Sequence, residues 1–139
     1  MAIAADDASF ATSEVKFGII PAVISPYVLR AIGPRHALRY FQSAERFGAA
    51  EAKAIGLVHE VVPVAELDAA VARLVQALLA CGPQAQLAAK QLIAALAGRP
   101  IDDAVAEETA GRIARQRATA EAREGFTAFF EKRSPAWMQ

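Results

Sequence analysis

A single glutamate near the start of the chain stands in a setting that favours proton chemistry. Glu14 lies in the segment Phe10–Pro21, among apolar neighbours and just before a loop that contains Gly18. Such neighbours would remove part of the water from the carboxyl group and favour its neutral form, which suits a general acid or base. A solvated or helix-capping role is nevertheless the commoner one for a glutamate in such a position. The local sequence leaves the structural and the catalytic role open.

The other side chains that could do chemistry lack a catalytic or metal-binding pattern. His36 and His59, the only histidines, do not have the four-residue spacing of a metal-binding pair. Cys81 precedes a Gly-Pro break, and because no motif pairs it with a base we interpret it as a packing residue. The sequence has neither a Gly-x-Ser-x-Gly elbow nor a glycine-rich phosphate loop. We therefore expect no bound metal ion.

The composition narrows the class of protein further. The 139 residues are 55% hydrophobic, which is enough for the core of one domain. Fifteen basic and fifteen acidic residues cancel, so no charge excess points to nucleic acid or to an acidic membrane. One cysteine excludes an internal disulfide, and no apolar run has the length of a signal peptide or a membrane span. These features favour a soluble cytoplasmic protein.

The elements that must position Glu14 are a few short strands followed by many helices. Two or three short strands cannot hide their own edges, so this region is predicted to continue a sheet begun elsewhere. Gly-Pro pairs and polar caps mark the helix ends. The strands are predicted at 1–5, 9–13 and 57–62, and the helices at Ser25–Gly33 with Ser25 as N-cap, from Pro34 through Phe41, at 49–55, from about 64 to Cys81, through Leu87–Leu96, at 101–117, and from Thr119 as N-cap to just before Pro135.

The end of the chain carries aromatic and basic clusters. The aromatic residues are typical of an amphipathic helix that packs on a core or on another subunit. The basic residues fit a solvated face, and a ligand that carries a phosphate is the alternative. The aromatic cluster is Phe126, Phe129, Phe130 and Trp137, and the basic trio is Arg123, Lys132 and Arg133.

Three segments, in order, resemble conserved blocks of the enoyl-CoA hydratase/isomerase (crotonase) family. They are Phe10–Pro21 around Glu14, Arg46–Val62 with its Gly-Leu-Val, and Arg123–Pro135 with its Glu-Gly and Glu-Lys-Arg. The resemblance covers essentially the whole sequence. It implies an α/β fold, the C-terminal part of a crotonase, in which 1–63 ends the core and 64–139 forms a helical region for oligomerisation and contact with coenzyme A.

The resemblance also implies roles for individual residues. Glu14 matches one of two glutamates that activate water and move a proton in hydration of a 2-enoyl-CoA, while two backbone amides hold the enolate oxygen. Lys132 matches a residue that contacts the phosphate of the CoA adenosine, and Phe129 is expected to contact the same ligand. Ile113 stands where the family often has an aromatic residue against the adenine, so that stacking contact is not expected.

The same resemblance frames the expected function. The acyl-CoA is the substrate, so no separate cofactor is expected, and a homo-oligomer (a trimer or a dimer of trimers) is implied. The Ala22–Pro26 segment resembles a subgroup that hydrates branched or carboxylated enoyl-CoA, such as methylglutaconyl-CoA. The second glutamate and the oxyanion hole match family segments upstream of Met1, so we expect little hydratase activity from these residues alone. A non-catalytic assembly module and a double-bond isomerase remain alternatives.

Overall fold

Short strands alternate with helices in the first half of the chain. The computed structural model describes residues 1–138. Three of the strands lie within predicted ones, whereas the strand Phe47–Gly48 was not predicted because two residues are too few to show alternation. The elements are β1 (Ile3–Ala5), β2 (Ser9–Phe10), α1 (Ser25–Ser43), β3 (Phe47–Gly48), α2 (Ala49–Ala54) and β4 (Glu60–Val62).

The strands form two separate pairs. β1 and β4 are parallel, with Ala4 opposite Val61, and β2 and β3 are antiparallel, with Phe10 opposite Phe47. Two-stranded pairs of this length do not hold together in water without a packed face. The helices that follow must therefore supply the surface on which the strands pack.

Small apolar side chains make that packing possible. One buried cluster joins β1 to α2, and a second joins α1 to the turn after α2. Phe47 and Leu57 pack against both clusters and so connect them. The first cluster is Ala4, Ala49, Ala52 and Val58, and the second is Ile32, Ala37, Tyr40 and Ile55.

Helix α1 contains the break that the sequence predicted. Gly33 has φ 72° and ψ 166°, which is not helical, and Pro34 starts the second helical segment. The predicted N-cap is wrong: the residue before the helix is Ile24, and the Ser25 hydroxyl donates a hydrogen bond to the carbonyl of Ala22. Pro26 still lies in the first turn, where its missing N–H costs nothing.

The second half of the chain is helical. Asp102 and Thr119 cap the helices that follow them by accepting hydrogen bonds from Val105 N–H and Ala122 N–H, which confirms the predicted cap at Thr119. Within residues 1–138 no helix is both long and apolar enough to cross a membrane. The helices are α3 (Leu67–Leu79), α4 (Pro83–Leu96), α5 (Asp103–Arg117) and α6 (Ala120–Glu131).

The chain divides into two compact units after Arg73, within α3. The first unit holds the four strands with α1 and α2, and the second holds α4, α5 and α6. The functional boundary at residue 63 that the resemblance suggested stays a prediction.

Candidate active site

Glu14 opens a single turn of 3-10 helix, Glu14–Phe17, on the loop between β2 and α1. Gly18 ends this turn with φ 71°, and its N–H donates to the carbonyls of Glu14 and Val15. A residue with a side chain rarely adopts such a φ, so the glycine allows the chain to turn away directly after the glutamate. The loop that the sequence predicted thus has a defined geometry.

The apolar neighbours of Glu14 do not surround it. Phe17, Ile19 and Ile20 are between 61% and 77% exposed, so the prediction that apolar flanks desolvate the carboxyl group is wrong for these three residues. Only part of the carboxyl group is buried. Glu14 is half-buried, and its Oε2 is buried without a hydrogen-bond partner among the residues that the structure describes. Because an unpaired buried oxygen is costly, this atom points to a role other than stability.

The strand-to-loop segment before Glu14 is anchored on α1. Thr12 is buried, and its hydroxyl donates a hydrogen bond of 2.8 Å to the carbonyl of Tyr40. The Tyr40 hydroxyl in turn donates to Glu51 Oε1 at 2.7 Å, and this bond raises the pKa of Tyr40. The buried Thr12 side chain therefore fixes the backbone two residues before Glu14 to α1.

A cavity of about 220 Å³ lies beside the Glu14 turn. Val15 and Ile20 line it from the loop, and Phe41 lines it from α1. Glu14 itself does not line this cavity.

In the second unit, Phe129 lines a groove of about 510 Å³. Ile113 and Trp137 line the same groove, and its polar members are Gln116, Arg117 and Glu121. Phe129 is 76% exposed, and its ring packs edge to face on that of Phe130 with the ring centroids 5.7 Å apart. The structure thus brings Phe129 and Ile113 to one apolar surface.

Lys132 follows α6 directly and does not line that groove. Its backbone is left-handed, with φ 55°, and its side chain is exposed without an ion pair within residues 1–138. The other two members of the basic trio are engaged. Arg123 donates to the carbonyl of Ala118, and Arg133 is bound by two glutamates. Of the trio, only Arg133 is held in ion pairs, and Lys132 makes neither an ion pair nor a side-chain hydrogen bond in the part of the chain that is described.

The pairing of Arg133 was not predicted from the sequence. Its guanidinium donates to both carboxylate oxygens of Glu124, at 2.6 and 2.9 Å, and to Glu131 at 2.7 Å. Glu124 also accepts the N–H of Ala136 at 2.9 Å. Hydrogen bonds from Arg133 and then from Ala136 lower the pKa of Glu124 to about 2. The only sequence signal for this arrangement is the nine-residue spacing of the two charges across a helix end.

Two of the remaining candidates from the sequence make local hydrogen bonds, whereas His36 is exposed on α1. His59 Nδ1 accepts the N–H of Ala2 at 3.0 Å beside the β1–β4 pair. The exposed Cys81 donates through Sγ to the carbonyl of Ala77 at 3.3 Å. Among residues 1–138, no group of three or more histidine, cysteine or acidic residues could hold a metal ion.

Comparison with known proteins identifies the family of this chain. A sequence model described as enoyl-CoA hydratase/isomerase matches residues 1–139. A carnitinyl-CoA dehydratase of Escherichia coli is 34% identical over 141 aligned positions, which cover 97% of this chain and 53% of that protein. A hydroxycinnamoyl-CoA hydratase-lyase of Pseudomonas fluorescens is 37% identical over 91 residues, 65% of this chain and 33% of that protein.

The fold is shared with solved structures of the same kind. The crystal structure of an enoyl-CoA hydratase from Shewanella pealeana superposes with a TM-score of 0.93 at 48% identity, over 99% of this chain and 51% of that one. The chain therefore spans about half the length of the carnitinyl-CoA dehydratase and of the Shewanella enzyme.

Proposed function

Because this chain belongs to the enoyl-CoA hydratase/isomerase family, we propose that Glu14 is one of the two acid–base carboxylates of an enoyl-CoA hydratase. The buried, unpartnered Oε2 of Glu14 carries the proposal. A carboxylate oxygen without a partner can accept a proton from water or donate one to carbon, because no internal hydrogen bond must first break. The Gly18 turn and the Thr12 anchor support a fixed position for this group.

The chemistry that we propose is addition of water across the double bond of a 2-enoyl-CoA thioester. The water oxygen bonds to the β-carbon and loses a proton to one carboxylate, while the α-carbon gains a proton from a carboxylic acid. Two carboxyl groups in different surroundings can divide these roles. Negative charge collects on the thioester oxygen in the transition state, where two N–H donors would stabilise it.

The second unit would supply contacts to the CoA part of the substrate. The exposed Lys132 ammonium suits a phosphate, and the exposed ring of Phe129 suits an apolar or aromatic surface. Ile113 lines the groove where an aromatic residue would stack on adenine, so we expect only apolar contact there. Coenzyme A enters as part of the substrate, and the proposed reaction requires no further cofactor.

We propose that hydration requires groups from outside residues 1–139 in addition to Glu14. The chain spans about half of its relatives, and the resemblance assigns the second glutamate and the oxyanion donors to a segment that precedes the residues matched here. Loss of one oxyanion donor alone lowers turnover on the order of 10²- to 10³-fold. We therefore expect residues 1–139 by themselves to hydrate little substrate. A branched or carboxylated acyl group is the substrate that we propose from the Ala22–Pro26 segment.

A role in assembly is the second candidate, and exposed aromatic side chains favour it. Phe126, Phe129 and Phe130 of α6 are between 51% and 77% exposed. Large apolar groups exposed together are characteristic of surfaces that pack on other protein. We propose that this helix contributes to a homo-oligomer in the cytoplasm, where the single cysteine would remain reduced.

The test is a chimera in which residues 1–139 replace the matching half of the Shewanella enzyme. Hydration of crotonyl-CoA is followed by loss of the absorbance of the conjugated thioester. We expect the chimera to turn over and Glu14→Gln to lower kcat on the order of 10²- to 10⁴-fold. Glu66→Gln, at an exposed glutamate of the same unit, is the control and should leave kcat unchanged.

Three further outcomes bear on the alternatives. Rapid hydration by residues 1–139 alone would contradict our expectation that the reaction needs groups from outside them. Turnover of a 3-enoyl-CoA to the 2-enoyl product without hydration would favour the isomerase. If the chimera carrying Glu14→Gln assembles and keeps full activity, the catalytic role of Glu14 is wrong, and the assembly role of α6 is the candidate that remains.

A further inference from the structure

Lys132 holds a backbone conformation that lysine does not favour. Only two non-glycine residues among 1–138 have a positive φ, Ala44 at 52° and Lys132 at 55°. Both residues follow a helix directly, Ala44 after α1 and Lys132 after α6, where a left-handed residue is common but is usually glycine. Ala44 is packed in the core and is 2% exposed. Lys132 is exposed, and its side chain has no such packing. A left-handed residue with a side chain persists only where neighbouring structure imposes it, and such residues occur often at functional sites.

The neighbouring structure combines the backbone hydrogen bonds of the helix end with contacts made by Glu124. Its carboxylate accepts two hydrogen bonds from Arg133, directly after the left-handed residue, and a third from the N–H of Ala136. The backbone N–H of Arg133 reaches back to the carbonyl of Ala128 at 3.0 Å. The backbone of Lys132 thus lies in a turn, and the next residue, Arg133, is hydrogen-bonded back to α6 through both its backbone and its side chain, as the backbone is in a Schellman motif.

The segment after this turn is also held. Trp137 Nε1 donates to the carbonyl of Ala80 at 3.2 Å, and its ring lies against Gly125. A Cβ at Gly125 would come within 3.1 Å of that ring, so the glycine beside Glu124 leaves the space that the tryptophan occupies. The Glu-Gly pair on α6 therefore fixes both the turn and the chain beyond it.

We propose that Glu124 is a positioning residue that, through Arg133, holds the left-handed turn and so directs the Lys132 ammonium towards a phosphate of the bound acyl-CoA. The inference rests on the proposed function in one respect, that Lys132 contacts this ligand. Glu124 does not touch the ligand itself. Its bidentate bond to Arg133 has the geometry that makes such pairs directional.

The first experiment measures the turn without a ligand. The three-bond coupling of the Lys132 amide and the exchange rate of the Arg133 amide are followed by NMR in the 139-residue chain. We expect Glu124→Gln to abolish the left-handed signature and to speed Arg133 exchange about tenfold or more. Glu108→Gln breaks a different pair of arginine contacts and should change neither signal. An unchanged turn in Glu124→Gln would overturn the proposal.

A rescue variant separates positioning from general instability. Glycine adopts a positive φ without help, so Lys132→Gly in the Glu124→Gln background should restore the protection of the Arg133 amide. If the double variant stays as unprotected as Glu124→Gln, Glu124 supports the whole end of the chain and not this turn, and the proposal is wrong.

The second experiment connects the turn to the ligand. Coenzyme A and dephospho-coenzyme A are titrated into the chimera carrying Lys132→Ala, Glu124→Gln or both. We expect each single variant to weaken binding of coenzyme A about tenfold, the double variant to be no weaker than Lys132→Ala, and dephospho-coenzyme A to be affected little. If the double variant loses as much binding free energy as the two single variants together, the positioning role of Glu124 is wrong and the contact of Lys132 with the ligand stands. Unchanged binding in Lys132→Ala would instead overturn the proposed ligand contact, and with it this inference.

Discussion

The carboxylate of Glu121 accepts a hydrogen bond of 2.9 Å from the backbone N–H of Gln84, across 37 positions of sequence. It also accepts the N–H of Ala85 at 2.8 Å. Helix α4 begins at Pro83 with Gly82 as its N-cap residue, and neither residue has a side chain that could cap the helix. A glutamate from the first turn of α6 therefore takes the place of a local N-cap and joins the two helices.

Glu121→Ala should destabilise the second unit by about 1 kcal/mol, the usual effect of losing an N-cap. Two N–H groups at the start of α4 would lose their acceptor, and the negative charge near the positive end of the helix would disappear. Urea unfolding measures the change. Glu107→Ala, at an exposed glutamate on α5, is the matched control and should stay within experimental error. An equal loss in both variants would contradict the capping role of Glu121.

Tyr40→Phe should lower the melting temperature by about 3–5 °C, because it removes the hydroxyl that donates to Glu51 from a side chain only 3% exposed. The hydrogen bond raises the pKa of Tyr40, so its contribution is present below the ordinary tyrosine pKa of 10.0 and is lost as the pH rises above it. Thermal unfolding followed by circular dichroism checks the shift. Tyr27→Phe is the control, since that ring is 77% exposed and the loss of its hydroxyl should have no effect.

Much of the local structure could be predicted because its causes are local. Gly33 and Pro34 interrupt α1, and Thr119 caps α6, through interactions that span a few residues. The resemblance to the family was confirmed by a family model that matches residues 1–139. Patterns of this kind depend on residue type and spacing alone, which the sequence displays directly.

The contacts that shape the candidate site were harder to predict because they join distant positions. Nothing near Gln84 indicates that Glu121 will cap its helix, and a trio of basic residues does not reveal that Arg133 binds Glu124. The apolar residues after Glu14 suggested burial, yet Phe17 is 77% exposed. Hydrophobic character predicts burial only where another element supplies a surface to cover it.

Glu124→Gln should change the pH dependence of stability in acid. The pKa of Glu124 is lowered from 4.5 to about 2, so the ionised carboxylate stabilises the fold above about pH 4.5, and this contribution is lost as the pH falls towards 2. Urea midpoints of wild type and variant should therefore differ at neutral pH and converge as the pH falls. The lowered pKa values of Glu45 and Glu108 act in both proteins and cancel in the comparison. A constant difference from neutral pH to about pH 2 would contradict the pairing with Arg133 as its cause.

Glu14→Ala should separate stability from catalysis. The variant removes a buried oxygen that has no hydrogen-bond partner among the described residues, so the free energy of unfolding of the 139-residue chain should stay the same or rise by up to about 1 kcal/mol. Hydration by the chimera should nevertheless fall on the order of a hundredfold or more, because the proton acceptor is gone. Thr12→Val is the structural counterpart, since it breaks the buried bond to Tyr40 and should destabilise the chain by about 1 kcal/mol. A residue retained for its chemistry can lower the free energy of unfolding, whereas a residue retained for its packing raises it. A loss of stability in Glu14→Ala as large as that in Thr12→Val would therefore assign Glu14 a structural role.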